Sequence, residues 1–172
     1  PPLVPNFFDF EFRKLIFFVK HKRFYCQIWE DHFEQMKTHY DISSLQAVQR
    51  MSVKKETFKA RKRDKSVVRL GHRDTAQIME IYQHYPDSFF EPYQVESGLY
   101  FGIRSDDGAQ LVSIGGIHVL SEFYDVAAIG NLVTHPDHRC QGYASRVIGH
   151  LLNELFQRVS LVALNVQVDN IA

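Results

Sequence analysis

The residues whose types and spacing best suit chemistry lie in one short segment, Arg139 to Ala144, which reads Arg-Cys-Gln-Gly-Tyr-Ala. It sits between an apolar run that stops at Pro136 and a run with helical periodicity. The first N–H groups of a helix lack intrahelical partners and carry the positive end of the helix dipole, which favours anions. Gly142 admits a phosphate without an intervening Cβ, and Arg139 can add a charge-assisted hydrogen bond. Taken alone, the segment predicts either a phosphate-binding loop or an ordinary glycine-containing turn before a helix.

Other common phosphate and metal sites are not supported by the sequence. It contains neither Gly-x-x-x-x-Gly-Lys-Ser/Thr nor a Gly-x-Gly-x-x-Gly that opens a helix, so a nucleotide triphosphatase and a dinucleotide dehydrogenase are not expected. His135 and His138 have no further ligands at metal spacing, and we expect no metal. Cys26 and Cys140, the two cysteines, are too few for a disulfide framework and fit a reducing, cytoplasmic setting.

Composition describes a chain that can bury a core and does not cross a membrane. Of its 172 residues 45% are hydrophobic, yet no apolar run approaches the roughly 20 residues of a membrane span. Residues 1–65 carry 14 Lys or Arg against 8 Asp or Glu, and residues 66–172 carry 6 against 12. This asymmetry suits docking of one segment on the other, or a basic or amine substrate steered to an acidic catalytic half, or simply two solvated surfaces.

Residues 1–65 are predicted to form an N-terminal extension. Its apolar pattern predicts a hairpin within residues 11–29 and then a helix ending near Asp41, whose apolar side consists of Trp29, Phe33, Met36 and Tyr40. Residues 54–65 contain seven basic residues but no recognisable nucleic-acid-binding fold, so we expect a solvated basic linker rather than a nucleic-acid site. The chain begins with Pro1 and has no signal-peptide pattern, so we expect this start to be internal to a longer chain or processed.

Residues 66–172 alternate strand and helix patterns. The predicted elements are strand 67–70, helix 74–82, strands 98–104 and 109–118 around an Asp-Gly hairpin turn, strand 126–134, helix 144–158 and strand 159–168. The last run is almost continuously apolar, which is typical of a strand buried on both faces beside a parallel neighbour. The last three elements predict a βαβ unit with the phosphate-binding loop at its first turn.

This combination resembles the GNAT superfamily of acyl-CoA-dependent N-acyltransferases. Their pyrophosphate loop has the form Gln/Arg-x-x-Gly-x-Gly/Ala, which Arg139, Gly142 and Ala144 match between the flanking segments 130–136 and 164–170. The resemblance covers residues 66–172 and implies an α/β (α+β) fold with a mixed, splayed central sheet flanked by helices. It also implies an N-acetyltransferase that moves an acetyl group from acetyl-CoA to a primary amine of a small molecule or protein.

The resemblance also implies a set of cofactor contacts. Backbone groups of the strand that ends the apolar run would face the acetyl carbonyl and pantetheine, the loop amides would cradle the pyrophosphate, and Asn170 would lie close to the cofactor. The residues implied in these roles are Leu132, Val133, Thr134, Arg139, Cys140, Gln141, Gly142, Tyr143, Ala144, Ser145 and Asn170.

Catalytic residues are less well marked. Many family members carry a Glu eleven residues before the loop motif, where this chain has Ala128. His118 is the best substitute base because its ordinary pKa is nearest neutrality, and Asn131 is a second candidate, although a lone strand histidine can be purely structural. Glu122 and Tyr124 in the following turn are further candidates. A bulge near position 130 would change which side chains face the substrate.

The resemblance ends where the sequence ends. The family's usual acid is a Tyr on a helix beyond the last residue here, so we expect either further protein or a second chain, such as a homodimer partner, to complete the site. The domain would be truncated after the fifth core strand, leaving the edge of strand 159–168 free. The alternative function is a non-catalytic CoA-binding sensor or a structural half-domain. Residues 1–65 and 85–100 are expected to decide the acceptor.

Overall fold

A six-stranded mixed sheet is the framework of residues 47–172 in the computed structural model, which describes residues 26, 28–86, 88, 90–168 and 170. Its strands are β1 (Val48–Lys54), β2 (Val67–Arg69), β3 (Phe101–Arg104), β4 (Leu111–Ser121), β5 (Val126–Thr134) and β6 (Leu161–Gln167). The spatial order is β1-β6-β5-β4-β3-β2, and β5 and β6 run parallel while the other neighbours are antiparallel. This is the mixed sheet that the sequence predicts.

The α-helices of the described residues are α1 (Phe33–Lys37), α2 (Thr75–Tyr82) and α3 (Tyr143–Leu155). Short 3-10 turns lie at Glu30–His32, Lys55–Thr57, His72–Asp74, Pro92–Ser97 and Pro136–His138. No helix in the described part of the chain combines the length and the apolar character that crossing a membrane requires.

Helix α3 connects β5 to β6 and covers one face of the sheet, which confirms the predicted βαβ unit. Its residues Val147, Leu151 and Leu155 recur every four positions, and all three are fully buried. They pack in one apolar cluster with Ile129 of β5 and Val162 of β6. We call this side of the sheet the α3 face. Packing on this face fixes the start of α3 beside the carboxyl end of β5.

Helix α2 and the 3-10 turn Pro92–Ser97 lie on the opposite side of the sheet, over the half formed by β2 to β4. Ile78 and Ile81 of α2 are buried in a second cluster with Tyr100 and Ile114. The β1, β5 and β6 residues that point away from α3 include Ser52, Ala128 and Ala163, and each keeps some exposure to solvent. We call this part of the sheet the open face.

Strand β6 is therefore not buried on both faces, contrary to the prediction. Val162 is 2% exposed on the α3 face, whereas Ala163 is half-buried and Asn165 is exposed on the open face. Its apolar residues reflect packing under α3 and pairing on both edges.

The expected free edge of β6 is occupied by β1. The two strands pair antiparallel along their whole length, from Val48 opposite Gln167 to Lys54 opposite Leu161. The sequence of β1 is polar and mostly exposed, so it carries little strand signal of its own; the unpaired N–H and C=O groups of β6 provide its partner. Residues 47–172 therefore form the compact unit that holds the sheet.

Residues 54–65 lie along α3 although most of their charged side chains are solvated, as expected of a linker. The Phe58 ring is 4.9 Å from that of Phe156, and Asn153 Nδ2 donates to Arg61 O at 2.8 Å. Near the start of α3, Arg146 Nε donates to Asp64 Oδ2 at 2.6 Å, and this hydrogen bond holds the pKa of Asp64 well below its usual range. The segment thus leads the chain from β1 across α3 to β2.

In residues 1–46, the predicted helix is shorter than expected. Only Phe33–Lys37 is α-helical in the described residues, and Met36 is buried as predicted. Trp29 was wrongly assigned to the apolar side: its backbone is extended, with φ −71° and ψ 149°, and its side chain is 65% exposed. The predicted hairpin at residues 11–29 lies almost wholly outside the described residues.

Candidate functional site

The predicted phosphate-binding loop lies between β5 and α3. The His135 ring Nδ1 accepts the Asp137 N–H at 3.3 Å and caps the short turn Pro136–His138. Cys140 and Gly142 then take the left-handed conformation, with φ 59° and 77°. The positive φ is the reason for glycine at position 142. Crowding is not the reason, since a Cβ there would meet no atom within 4 Å. These two reversals turn the chain sharply into α3.

The start of α3 presents amides without helical partners. The first bond of the helix runs from the Arg146 N–H to Gly142 O at 3.1 Å, and no side chain caps the helix at Gly142. The N–H groups of Tyr143, Ala144 and Ser145 therefore have no carbonyl within the helix to bind. Gly142 itself is exposed, so an anion can reach these amides from solvent.

Arg139 is held beside this helix start by Tyr85, a residue that the sequence did not single out individually. Arg139 donates to the Tyr85 hydroxyl through Nη2 at 2.7 Å and Nε at 3.2 Å, and its guanidinium lies 5.2 Å from the ring centroid. Tyr85 in turn donates to the carbonyl of Thr134, the last residue of β5. The hydrogen bond from Tyr85 to Thr134 joins residues 49 positions apart in the sequence, so no local pattern could reveal it.

Strand β5 separates from β6 before it reaches the loop. The parallel pairing runs from Val126 opposite Leu161 to Ile129 opposite Leu164, while pairing with β4 continues to Thr134. The register between β4 and β5 shifts by one residue beyond Gly130, where Asn131 has φ 54°. The bulge predicted near position 130 is confirmed. Beyond Ile129 the two strands are no longer paired, as the splay implied by the resemblance requires, and we call the space between them the cleft.

Asn131 stabilises the bulge through its side chain. Its Nδ2 donates to Tyr100 Oη at 2.6 Å and to Gln94 Oε1 at 3.0 Å. Tyr100 is fully buried, and this burial raises its pKa to about 12 although the bond from Asn131 acts in the opposite sense. A neutral amide is not a base, and this geometry suits holding the bulge in place rather than accepting a proton.

His118 lies on the open face against Gly130. Because Ile129 is buried under α3, the next residue points away from it, and a Cβ on Gly130 would lie 1.5 Å from His118 Cδ2. Gly116 pairs directly with Gly130, and a Cβ there would lie 2.4 Å from Tyr100 Cζ. The two glycines thus leave room for two rings side by side. Partial burial lowers the pKa of His118, which favours the neutral imidazole.

The position where the family usually has Glu lies next to His118. Val119 pairs with Ala128 and Ile117 pairs with Ile129, so His118 is the extra residue of a second bulge, on β4. Glu122 and Tyr124 lie beyond the end of β4 in an exposed turn, and Tyr124 is 76% exposed against Phe123. Of the substitute bases considered from the sequence, the structure brings His118 onto Gly130, one residue beyond the end of the β5–β6 pairing, and leaves these two in the turn.

Three other residues that the resemblance implies as cofactor contacts have different surroundings. Leu132 is partly buried against the α3 cluster, and the Val133 carbonyl lies 3.4 Å from Ser113 Oγ. Asn170 is exposed just after β6, and its N–H donates to Gln167 O at 3.1 Å. Because β5 and β6 run parallel, their carboxyl ends lie at the same end of the sheet. Asn170, just after β6, therefore lies at the same end of the sheet as the loop.

The rings of three histidines lie close to one another beside the loop. His84 and His135 are 4.6 Å apart between centroids, and His135 and His138 are 5.6 Å apart. The part of the chain that the structure describes contains no group of three or more His, Cys, Asp or Glu side chains arranged to hold a metal ion.

Comparison with known proteins identifies the family. Residues 67–172, more than half of the chain, match the model of the acetyltransferase (GNAT) family. Curated protein sequences give no match to the chain. Among solved structures, one described as a GNAT-family acetyltransferase from Novosphingobium aromaticivorans matches with TM-score 0.57 and 18% identity.

Two further structures agree with this fold. A protein from Mycobacterium tuberculosis in complex with CoA matches with TM-score 0.51 and 16% identity over 60% of this chain. The ribosomal-protein-S18-alanine N-acetyltransferase from Escherichia coli matches with TM-score 0.50 and 21% identity over 60% of this chain and 68% of its own. The match with the Novosphingobium protein covers 73% of this chain and 54% of that protein. The chain spans 64% of the Mycobacterium protein.

Replacing Gly142 by Ala tests the loop. We expect CoA affinity to fall about tenfold or more, since Ala at positive φ costs roughly 1–2 kcal/mol and adds a Cβ where the phosphate would lie. Gly108→Ala is the matched control, because Gly108 also has a positive φ of 72° and open space around it. Calorimetric titration with CoA and thermal unfolding of both variants separate binding from stability. Equal affinity in the two variants would contradict the loop assignment.

Replacing Tyr85 by Phe tests how Arg139 is held. The change removes the hydroxyl that joins Arg139 to Thr134, so CoA should bind about five- to tenfold more weakly, with little loss of stability. Tyr93→Phe removes a hydroxyl from a side chain that is 63% exposed and serves as the control. If Tyr85→Phe titrates like Tyr93→Phe, the contact has no role in binding.

Proposed function

The chain belongs to the GNAT acetyltransferase family, and we propose that it transfers an acetyl group from acetyl-CoA to a primary amine. The observation that carries this proposal is the continuity of the site: the amides at the start of α3 lead along β5 to the bulge at Asn131, where His118 lies on the open face. The proposed pyrophosphate site and a basic group are thus connected by one strand, which is unpaired with β6 beyond Ile129.

In this proposal the loop and the strand bind different parts of acetyl-CoA. The amides of Cys140 to Ser145 would hold the pyrophosphate, and Arg139 would add positive charge. The pantetheine would follow the cleft-side backbone of β5 near Leu132, since the Thr134 carbonyl already accepts the Tyr85 hydroxyl. Asn170 would line the opposite side of the cleft. CoA bound in the Mycobacterium structure supports a CoA site in this fold.

The chemistry that this arrangement suits is direct acyl transfer. A neutral amine attacks the thioester carbonyl, the C–N bond forms, and the C–S bond breaks to release CoA as the thiolate, which takes up a proton from solvent. A backbone N–H in the unpaired part of β5 would stabilise the oxyanion, and a base must take one proton from the amine. Asn131 would act by holding the bulge, and therefore the oxyanion donor, in place.

His118 is the proposed base. It lies next to Ala128, the position at which many family members carry Glu, and its lowered pKa leaves the imidazole neutral at pH 7 and able to accept a proton. Below its pKa the His118 imidazole is already protonated and cannot accept a proton from the amine. Activity should therefore fall as the pH drops through a value below the ordinary 6.5 of histidine.

Ala128 also favours a second function, a CoA-binding protein without turnover, because it lacks the usual carboxylate. Incubation of the full chain with acetyl-CoA and a panel of amines, with free thiol as the readout, distinguishes the two functions. Thiol release above the amine-free rate supports transfer. Tight CoA binding with no acceleration by any amine would favour the non-catalytic protein.

His118 and Gly130 allow a double-mutant test of the base. His118→Ala should lower kcat/KM about 100-fold or more and remove the acidic limb of the pH profile. Gly130→Ala should cause a similar loss, because its Cβ would displace the ring, and should add nothing in the His118→Ala background. Gly71→Ala, where a Cβ meets nothing within 4 Å, is the control. Full activity of His118→Ala would exclude His118 as the base.

A further inference from the structure

Three histidine rings beside the loop have no part in the site described above. His84 and His135 are 4.6 Å apart between ring centroids, and His135 and His138 are 5.6 Å apart. The ring of His138 lies 6.3 Å from that of Tyr143, the first residue of α3. We call His84, His135 and His138 the histidine cluster. It extends to the helix start whose N–H groups would hold the pyrophosphate.

Three separate elements bring the histidine cluster together. His84 follows α2 by two residues, His135 comes directly after β5, and His138 ends the turn Pro136–His138. The turn is fixed by the hydrogen bond to the His135 ring that caps it. The rings are therefore positioned by the same elements that position the loop.

Hydrogen bonds set the tautomers of two of these rings. His135 Nδ1 accepts the Asp137 N–H at 3.3 Å, so the neutral ring of His135 carries its proton on Nε2. Gln110 Nε2 lies 3.4 Å from His138 Nε2. Because the nitrogen of a carboxamide only donates, His138 Nε2 is the acceptor and the proton is on Nδ1. His135 Nε2 and His138 Nδ1 are therefore both N–H donors.

These two N–H groups are not used by the protein itself. Within the described residues neither group has a hydrogen-bond acceptor, and neither is one of the buried polar atoms that lack a partner. The His84 residue is exposed, and His135 and His138 are half-buried. A ligand that reaches the start of α3 can therefore also reach these donors.

The surroundings of the histidine cluster favour an anionic group. Arg139 follows His138 directly, and the Tyr85 hydroxyl holds its guanidinium. The carboxylate of Asp137 is directed to the other nitrogen of His135, with Oδ2 3.8 Å from Nδ1, and this side chain is 85% exposed. Ring N–H groups and a guanidinium supply donors to a group with several charged oxygens, such as a phosphate monoester.

We propose that the histidine cluster binds the 3′-phosphate of CoA and makes the protein selective for CoA over dephospho-CoA. The proposal rests on the proposed use of acetyl-CoA. With the pyrophosphate on the amides at the start of α3, the 3′-phosphate is one ribose away, and His138 borders the same helix start beside Tyr143. His138 Nδ1 and His135 Nε2 would donate to its oxygens.

Binding of CoA and of dephospho-CoA, which differ only in the 3′-phosphate, tests the proposal in the full chain. In calorimetric titrations the wild-type protein should bind CoA about tenfold or more tightly, because the hydrogen bonds to a charged group are absent with dephospho-CoA. His138→Ala should weaken the binding of CoA about five- to tenfold and leave the Kd of dephospho-CoA unchanged.

Conservative variants test the tautomer and serve as controls. His138→Asn keeps an N–H donor near the position of Nδ1 and should recover part of the preference for CoA. His138→Gln places its amide near the position of Nε2 and should not. His72→Ala removes a histidine whose side chain is 65% exposed on another turn, and should leave both Kd values unchanged. Thermal unfolding of each variant reports whether the fold is intact.

The outcomes separate this proposal from the proposed function. Equal affinity of the wild-type protein for the two ligands, equal weakening of both by His138→Ala, or an undiminished preference for CoA in that variant would each overturn the role of the histidine cluster while acetyl transfer stands. Binding of neither ligand to the wild-type protein would overturn the proposed use of acetyl-CoA as well.

Discussion

Strand β5 is paired on both edges only as far as Ile129, and the rest of the site depends on that limit. Beyond this residue β4 keeps its pairing while β6 diverges, and Asn131 takes a left-handed conformation that inserts one extra residue. Backbone groups that a continuous parallel sheet would consume are thereby left at a cleft. Two hydrogen bonds from its side chain, to buried Tyr100 and half-buried Gln94, offset the cost of the strained conformation of Asn131. The point at which β5 ends determines the positions of the loop, of α3 and of β6.

One face of the sheet provides packing that stabilises the fold, and the other carries residues of the candidate site. On the α3 face, large side chains of β4, β5 and β6 are buried under α3 and hold its first turn beside the end of β5. On the other side of the sheet the same strands carry Ala128, Ala163 and the glycine pair Gly116 and Gly130, and the two glycines leave room for the rings of Tyr100 and His118. Small residues there are explained by what must lie above them, since a Cβ at either glycine would overlap a ring.

Much of the fold could be predicted because its signals are local. The Asp-Gly turn, the amphipathic α3 and the loop before it each occur within a short window of sequence, and all appear where expected. Strand β1 could not be predicted, because its polar residues become a strand only when the edge of β6 is available. Tyr85 and the ring of His118 on Gly130 depend on contacts between distant segments. The apolar pattern of β6 did not reveal that one face stays open, since burial under α3 and pairing on two edges produce the same composition.

The most direct test of this account is a structure of the protein with CoA bound. The pyrophosphate oxygens should lie about 3 Å from amides between Cys140 and Ser145, and the thiol should reach the cleft beyond Ile129 on the side of His118. A pyrophosphate bound away from the start of α3, or a thiol directed to the α3 face, would contradict the account.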